Sequence, residues 1–154
     1  MRNLLHFLQQ LLLTLLLVVL AGLLLAGIYF GWQGHTLYQK AVADHPIAAM
    51  YDSIRSRTDF ISYEAMPKTY VQAVIAVEDR RFASHHGIDP ISIGRALLID
   101  LKTHSLAEGG STLTQQLAKN ELFTQEKRLA RKAAEMFAAL AIEKAYSKQQ
   151  IFEM

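Results

Sequence analysis

The chain has 154 residues, of which 51% are hydrophobic and 19% are charged, and its formal net charge is +2. This length allows one domain of modest size, and the near-neutral charge argues against a nucleic-acid partner. The absence of cysteine excludes a disulfide framework, but it is consistent with both an extracytoplasmic and a reducing compartment.

The N-terminal part of the chain is apolar and predicts a membrane anchor. Arg2 is the only Asp, Glu, Lys or Arg within residues 1–39. Residues 11–30 form an apolar run that, as a helix, is long enough to cross a hydrocarbon core of about 30 Å. A cleaved signal peptide is the alternative, but this run is longer than a typical signal and no clear Ala-x-Ala site follows it. We therefore predict an uncleaved transmembrane anchor over residues 9–32.

The flanks of this anchor suggest its orientation. Tyr29, Phe30 and Trp32 lie at its far end, where an aromatic belt is expected. Arg2 and the α-amino group lie at its near end, so the positive-inside tendency places residues 1–8 in the cytoplasm as a short tail. The sequence therefore predicts a single-pass protein of the cell membrane whose remaining chain is extracytoplasmic.

Residues 33–62 show no sustained apolar period, and we predict a connector there. Short structure around residues 47–54 is compatible with the pattern but is not assigned. His35 and His45 have no partner at metal-ligand spacing, so solvent-exposed histidines are the favoured interpretation.

A carboxylate ends the next apolar pattern. Pro67 marks a helix start, and the pattern predicts a helix through Glu78 to about Ala83. Val71 and Val74 recur on the same helical face as Glu78, so the sequence predicts partial burial of this carboxylate. Such burial favours the protonated form and suits a general base. The alternative is a structural carboxylate paired with one of the two arginines that follow it.

A polar turn over residues 84–87 separates this helix from the next one. Asp89 as N-cap and Pro90 at the first helical position predict a helix to about Thr103. This helix is apolar over most of its circumference, so it is either a buried core helix, the default interpretation, or a helix that touches lipid.

Two further stretches carry polar patterns. A glycine-rich loop over residues 108–111 leads into a capping box formed by Thr112 and Gln115, which is either an anion site near Lys119 or an ordinary loop and cap. Residues 126–144 predict an amphipathic helix. Its polar face carries Arg128, Arg131, Lys132 and Glu135, which could clamp a phosphate. Taken alone, this stretch favours a solvated face with an i,i+4 pair of Arg131 and Glu135. Ser147 is the predicted N-cap of a last helix.

Four short motifs occur in order over residues 78–154. The first, Glu-Asp-x-x-Phe-x-x-His-x-Gly, lies at Glu78, Asp79, Phe82, His85 and Gly87. The second spans residues 109–116 and is followed by Lys119 and Asn120, and the third, Arg-Lys-x-x-Glu, lies at Arg131, Lys132 and Glu135. The fourth begins at Lys148 and is cut before its expected Tyr-Leu-Asn end. This set resembles the peptidoglycan glycosyltransferase domain of class A penicillin-binding proteins and monofunctional transglycosylases.

The resemblance implies a mainly α-helical protein, with an N-terminal transmembrane helix followed by a partial lysozyme-like helical domain over residues 63–154. Members of this family polymerise lipid II into β-1,4-linked glycan strands by an inverting mechanism that releases undecaprenyl pyrophosphate. The implied partners are lipid II, the growing glycan strand, the lipid bilayer and other cell wall synthesis proteins. Because members continue beyond the fourth motif, we expect an incomplete domain here.

The resemblance also implies roles for individual residues. Glu78 would be the general base for the acceptor 4-hydroxyl. Glu135 would be a second catalytic carboxylate near the donor pyrophosphate, acting in leaving-group departure or binding a divalent cation, Mg²⁺ or Mn²⁺. The implied pyrophosphate-neutralising residues are Lys119, Arg131 and Lys132. The other implied substrate-binding positions are Asp79, Phe82, His85, Ser111, Thr112, Thr114, Gln115 and Asn120.

Two functions of other classes remain compatible with these residues. One is a non-catalytic, membrane-anchored scaffold that binds lipid II. The other is a lysozyme-like hydrolase, which would use its carboxylates to activate water and to protonate a leaving sugar.

Overall fold

A computed structural model of the chain describes residues 2–103, 109–123 and 129–154, and every regular element within these ranges is helical. The α-helices in chain order are α1 (Arg2–Asp44), α2 (Ile47–Arg55), α3 (Lys68–Glu78), α4 (Pro90–Thr103), α5 (Leu113–Leu122), α6 (Leu129–Ala145) and α7 (Lys148–Glu153). One turn of 3-10 helix, Tyr63–Ala65, lies between α2 and α3. The predicted mainly α fold class is therefore confirmed.

Helix α1 is far longer than a bilayer requires. Its 43 residues span about 64 Å at 1.5 Å per residue, about twice the thickness of a hydrocarbon core. Apart from half-buried Phe30, the large apolar side chains between Leu11 and Trp32 are exposed on its surface. Among the described residues, it is the one helix long and apolar enough to cross a membrane, as predicted for this segment.

The second half of α1 packs onto the protein instead of forming a connector. Gly34 is buried against α6, where an added Cβ would lie 2.4 Å from the Cβ of Ala133 and 2.8 Å from the carbonyl oxygen of Ala130. Ala41 belongs to the core together with Met50 of α2. The expectation that residues 33–62 lack a core element is therefore wrong. Small residues allow α1 and α6 to pack closely, and small residues do not produce a clear apolar period in the sequence.

Helix α2 and the 3-10 turn are held by α7. The Glu153 carboxylate accepts hydrogen bonds from the Tyr51 hydroxyl at 2.5 Å and from the Tyr63 backbone N–H at 2.6 Å. The Tyr146 hydroxyl, just before α7, donates to the carbonyl oxygen of Ile47. The hydrogen bond to Glu153 raises the pKa of Tyr51, because only the protonated phenol can donate it.

Most of the predicted helix starts are confirmed. Pro90 begins α4 after Asp89, and capping boxes formed by Thr112 with Gln115 and by Ser147 with Gln150 open α5 and α7. Pro67 lies one residue before α3 as its N-cap.

The end of α3 differs from the prediction. The helix stops at Glu78 and not near Ala83, because Asp79 leaves the helical conformation with φ −154°. Residues 126–128 of the predicted helix over 126–144 lie outside the described residues.

The core lies between α6, α5 and the second half of α1. Its buried apolar members include Phe82, Leu117, Ala138, Ile142 and Ile151. Helix α4 contributes none of its residues to this core. Its large side chains Ile91, Leu97, Leu98, Ile99 and Leu101 are exposed, between 46% and 74%. The default prediction of a buried core helix is therefore wrong for α4, and its apolar face is open.

Candidate active site

A polar cleft of about 280 Å³ opens between the end of α3, helix α4 and the segment that precedes α5. Its lining residues are Val77, Glu78, Asp79, Arg80, Ser92, Arg95, Gly109, Ser111 and Thr112. Carboxylates and guanidinium groups therefore face one space, as a site for a polar or charged ligand requires.

Glu78, the last residue of α3, lies at the edge of this cleft with its side chain exposed. The prediction of a partly buried carboxylate is therefore wrong, because the helix ends here and the side chain turns outward. Its Oε2 accepts a hydrogen bond from Nε2 of Gln116 at 2.9 Å. The alternative of a pair with a following arginine is also wrong, since Arg81 pairs with Asp89 and Arg80 donates to the carbonyl oxygen of Ala76.

The turn after Glu78 is organised by a buried aspartate and histidine. Asp79 Oδ2 lies 2.8 Å from His85 Nε2 and also accepts the backbone N–H of Leu113 at 3.0 Å. The Gly87 N–H donates to His85 Nδ1 at 3.2 Å, so Nε2 carries the proton that His85 donates to Asp79. The turn that follows Glu78 is therefore joined directly to the start of α5.

Gly87 makes the close approach that this turn needs. Its φ is +93°, and an added Cβ would lie 2.8 Å from the backbone carbon and oxygen of Ala139 in α6. Its carbonyl oxygen accepts the Thr112 hydroxyl at 2.7 Å. Glycine is the residue that tolerates both the backbone angle and the contact.

We therefore expect Gly87→Ala to lower the free energy of unfolding by about 2 to 4 kcal/mol, through left-handed strain and steric overlap. Thermal denaturation of the full chain in detergent, followed by circular dichroism, measures this change. Gly94→Ala is the control, because a Cβ there meets nothing within 4 Å. Equal melting temperatures for the two variants would contradict the prediction.

The predicted residues of the second motif divide into two groups. Ser111 and Thr112 line the cleft. Thr114 and Gln115 are buried, and the Thr114 hydroxyl donates to Glu143 Oε1 at 2.6 Å, while Gln115 closes the capping box with Thr112. The buried pair therefore supports the start of α5 and does not line the cleft.

The third motif surrounds a buried carboxylate. Glu135 is 1% exposed, with Arg131 Nε at 3.0 Å from Oε1 and Lys132 Nζ at 3.0 Å from Oε2. The Arg131 contact lacks hydrogen-bond alignment, so attraction between the charges holds it. Lys132 Nζ also donates to Ser111 Oγ at 2.5 Å, which connects α6 to the cleft. The predicted i,i+4 pair of Arg131 and Glu135 forms, but Glu135 is buried, so the expectation of a solvated face is wrong for this carboxylate.

Asp89, just before α4, is a further buried carboxylate beside the cleft. Asp89 is fully buried, accepts Ser92 Oγ at 2.7 Å and the Ile91 N–H at 3.0 Å, and pairs with Arg81 at 3.0 Å. Burial alone would raise the pKa of Asp89, but the hydrogen bonds and the Arg81 charge together lower it. Its stabilising effect is complete above an ordinary aspartate pKa of about 3.9 and is lost as pH falls through the lowered value.

Comparison with known proteins identifies the family. Residues 44–154 match the family model described as transglycosylase. The chain belongs to the transglycosylase family. It is 40% identical over 119 residues to penicillin-binding protein 1A/1B of Bacillus subtilis strain 168, covering 77% of this chain and 13% of that protein.

Other relatives of this chain show the same partial coverage. Penicillin-binding protein 1A of Vibrio cholerae is 47% identical over 94 residues, which are 61% of this chain and 11% of the relative. The monofunctional glycosyltransferase of Staphylococcus epidermidis is 42% identical over 99 residues, 64% of this chain and 36% of the relative. The chain thus spans between about a tenth and about a third of the length of these relatives.

The cleft includes two arginines that the motifs did not single out. Arg80 and Arg95 line it beside Glu78. Arg80 occupies a variable position of the first motif, so the motif gives it no role. Arg95 is a charged residue within the apolar helix α4, and this contrast is the one sequence signal that could have identified it as a cleft residue. Lys119, half-buried, and Asn120, exposed, occupy the last turns of α5, outside the set of described residues that line the cleft. Arg128 lies outside the described residues.

The side chains around Glu135 do not fit a divalent cation. Two cationic side chains already face its carboxylate. Across the described ranges, no group of three or more His, Cys, Asp or Glu side chains could hold a metal ion. Mg²⁺ and Mn²⁺ favour clusters of carboxylates, and the cationic surroundings of Glu135 differ from such a site.

Proposed function

We propose that this chain is a membrane-anchored peptidoglycan glycosyltransferase that polymerises lipid II into β-1,4-linked glycan strands. The supporting observation is the arrangement of the cleft. Exposed Glu78, oriented by Gln116, lies at one edge, and Lys132, anchored on buried Glu135, reaches Ser111 at another. An available base and a held cation are the two requirements for transfer of a sugar from a pyrophosphate.

Glu78 is the general base of the proposed reaction. It removes the proton of the acceptor 4-hydroxyl as that oxygen attacks C1 of the donor sugar, and the bond from C1 to the pyrophosphate oxygen breaks with inversion. Because Glu78 is exposed and its hydrogen bond from Gln116 lies at the surface, its carboxylate can meet a sugar hydroxyl without losing buried partners. Bound substrate then excludes the water around it.

Of the two cations that face Glu135, Lys132 is the better placed to stabilise the undecaprenyl pyrophosphate that leaves. Its side chain is 47% exposed, whereas that of Arg131 is 13% exposed. Glu135 holds both, so we assign it a positioning role in which its charge fixes the cation. A cation held before the reaction stabilises developing negative charge without reorganisation. Lys119 is assigned to the pyrophosphate on the resemblance alone.

Several residues implied as substrate-binding fit a supporting role better. Phe82 and His85 are buried, at 3% and 5% exposure, and they lie under the turn that begins at Asp79. We propose that they hold Asp79 and Glu78 in place. Thr112 is 1% exposed and its hydroxyl donates to the Gly87 carbonyl, so it shares this supporting role, whereas half-buried Ser111 contacts the substrate. For Asn120, a contact with the substrate is proposed on the resemblance alone.

The bilayer is the second partner in this proposal. Helix α1 spans it with the N-terminus in the cytoplasm, and the domain lies on the extracytoplasmic face. The open apolar face of α4 borders the cleft through Ser92 and Arg95, so we propose that it rests on lipid where a lipid-linked substrate enters. The growing glycan strand and other cell wall synthesis proteins are further proposed partners.

A polymerisation assay with purified full chain and lipid II tests this function. We expect glycan strands to form with release of undecaprenyl pyrophosphate. Binding of lipid II without turnover would instead identify a scaffold, and shortening of preformed glycan would identify a hydrolase. Either of these outcomes would overturn the proposed reaction.

A further inference from the structure

A second acidic group on α6 lies behind the cleft. The Glu143 side chain is 5% exposed, and its Oε1 accepts both the Thr114 hydroxyl and Lys148 Nζ, each at 2.6 Å. Thr114 lies in the first turn of α5, and Lys148 is the first residue of α7. One carboxylate oxygen therefore joins three helices.

Lys148 also contacts the turn that follows Glu78. Its Nζ lies 4.5 Å from the centroid of the Phe82 ring, the geometry of a cation–π contact. The Phe82 ring in turn meets the edge of the His85 ring, with centroids 6.2 Å apart. His85 donates to Asp79, the residue next to Glu78.

These contacts support both segments that position Glu78. One segment is the turn from Asp79 to Gly87, which Lys148 reaches through Phe82. The other is the start of α5, which Glu143 reaches through Thr114 and whose Gln116 donates to Glu78. The hydrogen bond from the Leu113 N–H to Asp79 joins these two segments directly. The Glu143–Lys148 pair joins them a second time, because Glu143 contacts Thr114 and Lys148 contacts Phe82.

We infer that Glu143 and Lys148 are positioning residues for the base Glu78, an inference that rests on the proposed function. Neither side chain lines the cleft, so neither touches the substrate there. Lys148 holds Phe82 and the buried Glu143 charge together, and its loss lets the turn and α5 shift relative to each other. Displacement of a reacting group by about 1 Å costs on the order of a hundredfold in rate.

The test compares Lys148→Met with Lys148→Arg in the full chain. We expect Lys148→Met to lower kcat by about 10- to 100-fold with KM for lipid II within about twofold, since the cleft residues are unchanged. Lys148→Arg keeps both the ion pair and the cation–π contact, so it should retain kcat within about threefold. Arg57→Met is the matched control, because it breaks the 2.6 Å pair with Glu121, which lies outside the cleft.

A second measurement follows the positions directly. Amide hydrogen exchange at Leu113 and Gly87, whose N–H groups bond Asp79 and His85, should be about tenfold faster in Lys148→Met and unchanged in Lys148→Arg. Unchanged exchange, or a kcat equal to that of the parent, overturns the inference. If the parent chain makes no glycan, the proposed function fails, and the exchange rates alone decide this inference.

Discussion

Glu78→Gln is expected to lower kcat for strand synthesis by about 10² to 10⁴-fold, the range that a general base contributes. The glutamine side chain has the same shape, and its oxygen can still accept the hydrogen bond from Gln116. Because Glu78 is exposed, the replacement should leave the melting temperature unchanged. The loss therefore reports on proton transfer and not on folding. Initial rates with purified lipid II, fitted for kcat and KM, measure it.

Glu64→Gln provides the control for this replacement. Glu64 is an exposed carboxylate in the 3-10 turn, apart from the residues that line the cleft. It should polymerise lipid II at the rate of the parent. If Glu78→Gln also did so, Glu78 would not be the base, and another carboxylate of the cleft, with Asp79 the first candidate, would have to be tested.

Helix starts could be predicted because they depend on neighbouring residues. The caps at Asp89, Thr112 and Ser147 each bond a backbone N–H two or three positions ahead, so the sequence contains both partners. The end of α3 could not be placed in this way. It depends on Asp79 turning out of the helix to reach His85 and Leu113, and Leu113 lies 34 positions away.

Burial of the two carboxylates was the less predictable part of the site. Residue spacing suggested a partly buried Glu78 and favoured a solvated face for Glu135, whereas the structure exposes the first and buries the second. The reason is tertiary. Helix α6 packs against α1, α5, α2 and α7, and Glu135 lies on a face that these neighbours enclose. The family motifs located both residues, but their local patterns carry no information about such contacts.

The contact between α1 and α6 shows the same limit. Gly34 and Ala133 are small residues that bring the two helices close together. Because small residues add little to an apolar period, the sequence of residues 33–62 predicted a connector. The opposite error occurred for α4, where an apolar circumference predicted a core helix. Its residues are exposed because the other helices complete the core without it. Periodicity reports which residues are apolar, but it does not report whether protein or lipid covers them.

Lys132→Met is expected to have the second largest effect, a loss of about 10² to 10³-fold in kcat. That range is typical for removal of one preorganised group that stabilises transition-state charge. The replacement also leaves buried Glu135 without one of its two cations, which should lower the free energy of unfolding by about 1 to 3 kcal/mol. Kinetics at a temperature well below the melting transition separate the two effects.

The choice of controls decides which contact of Lys132 matters. Lys144→Met removes an exposed lysine from the same helix and should leave kcat unchanged. Ser111→Ala removes the hydroxyl that Lys132 contacts at 2.5 Å but keeps its pair with Glu135, so it should cost about tenfold or less. A Lys132→Met loss no larger than that of Ser111→Ala would contradict a role in charge stabilisation. It would indicate instead that Lys132 serves to hold Ser111, because the ammonium charge would then add nothing beyond that hydrogen bond.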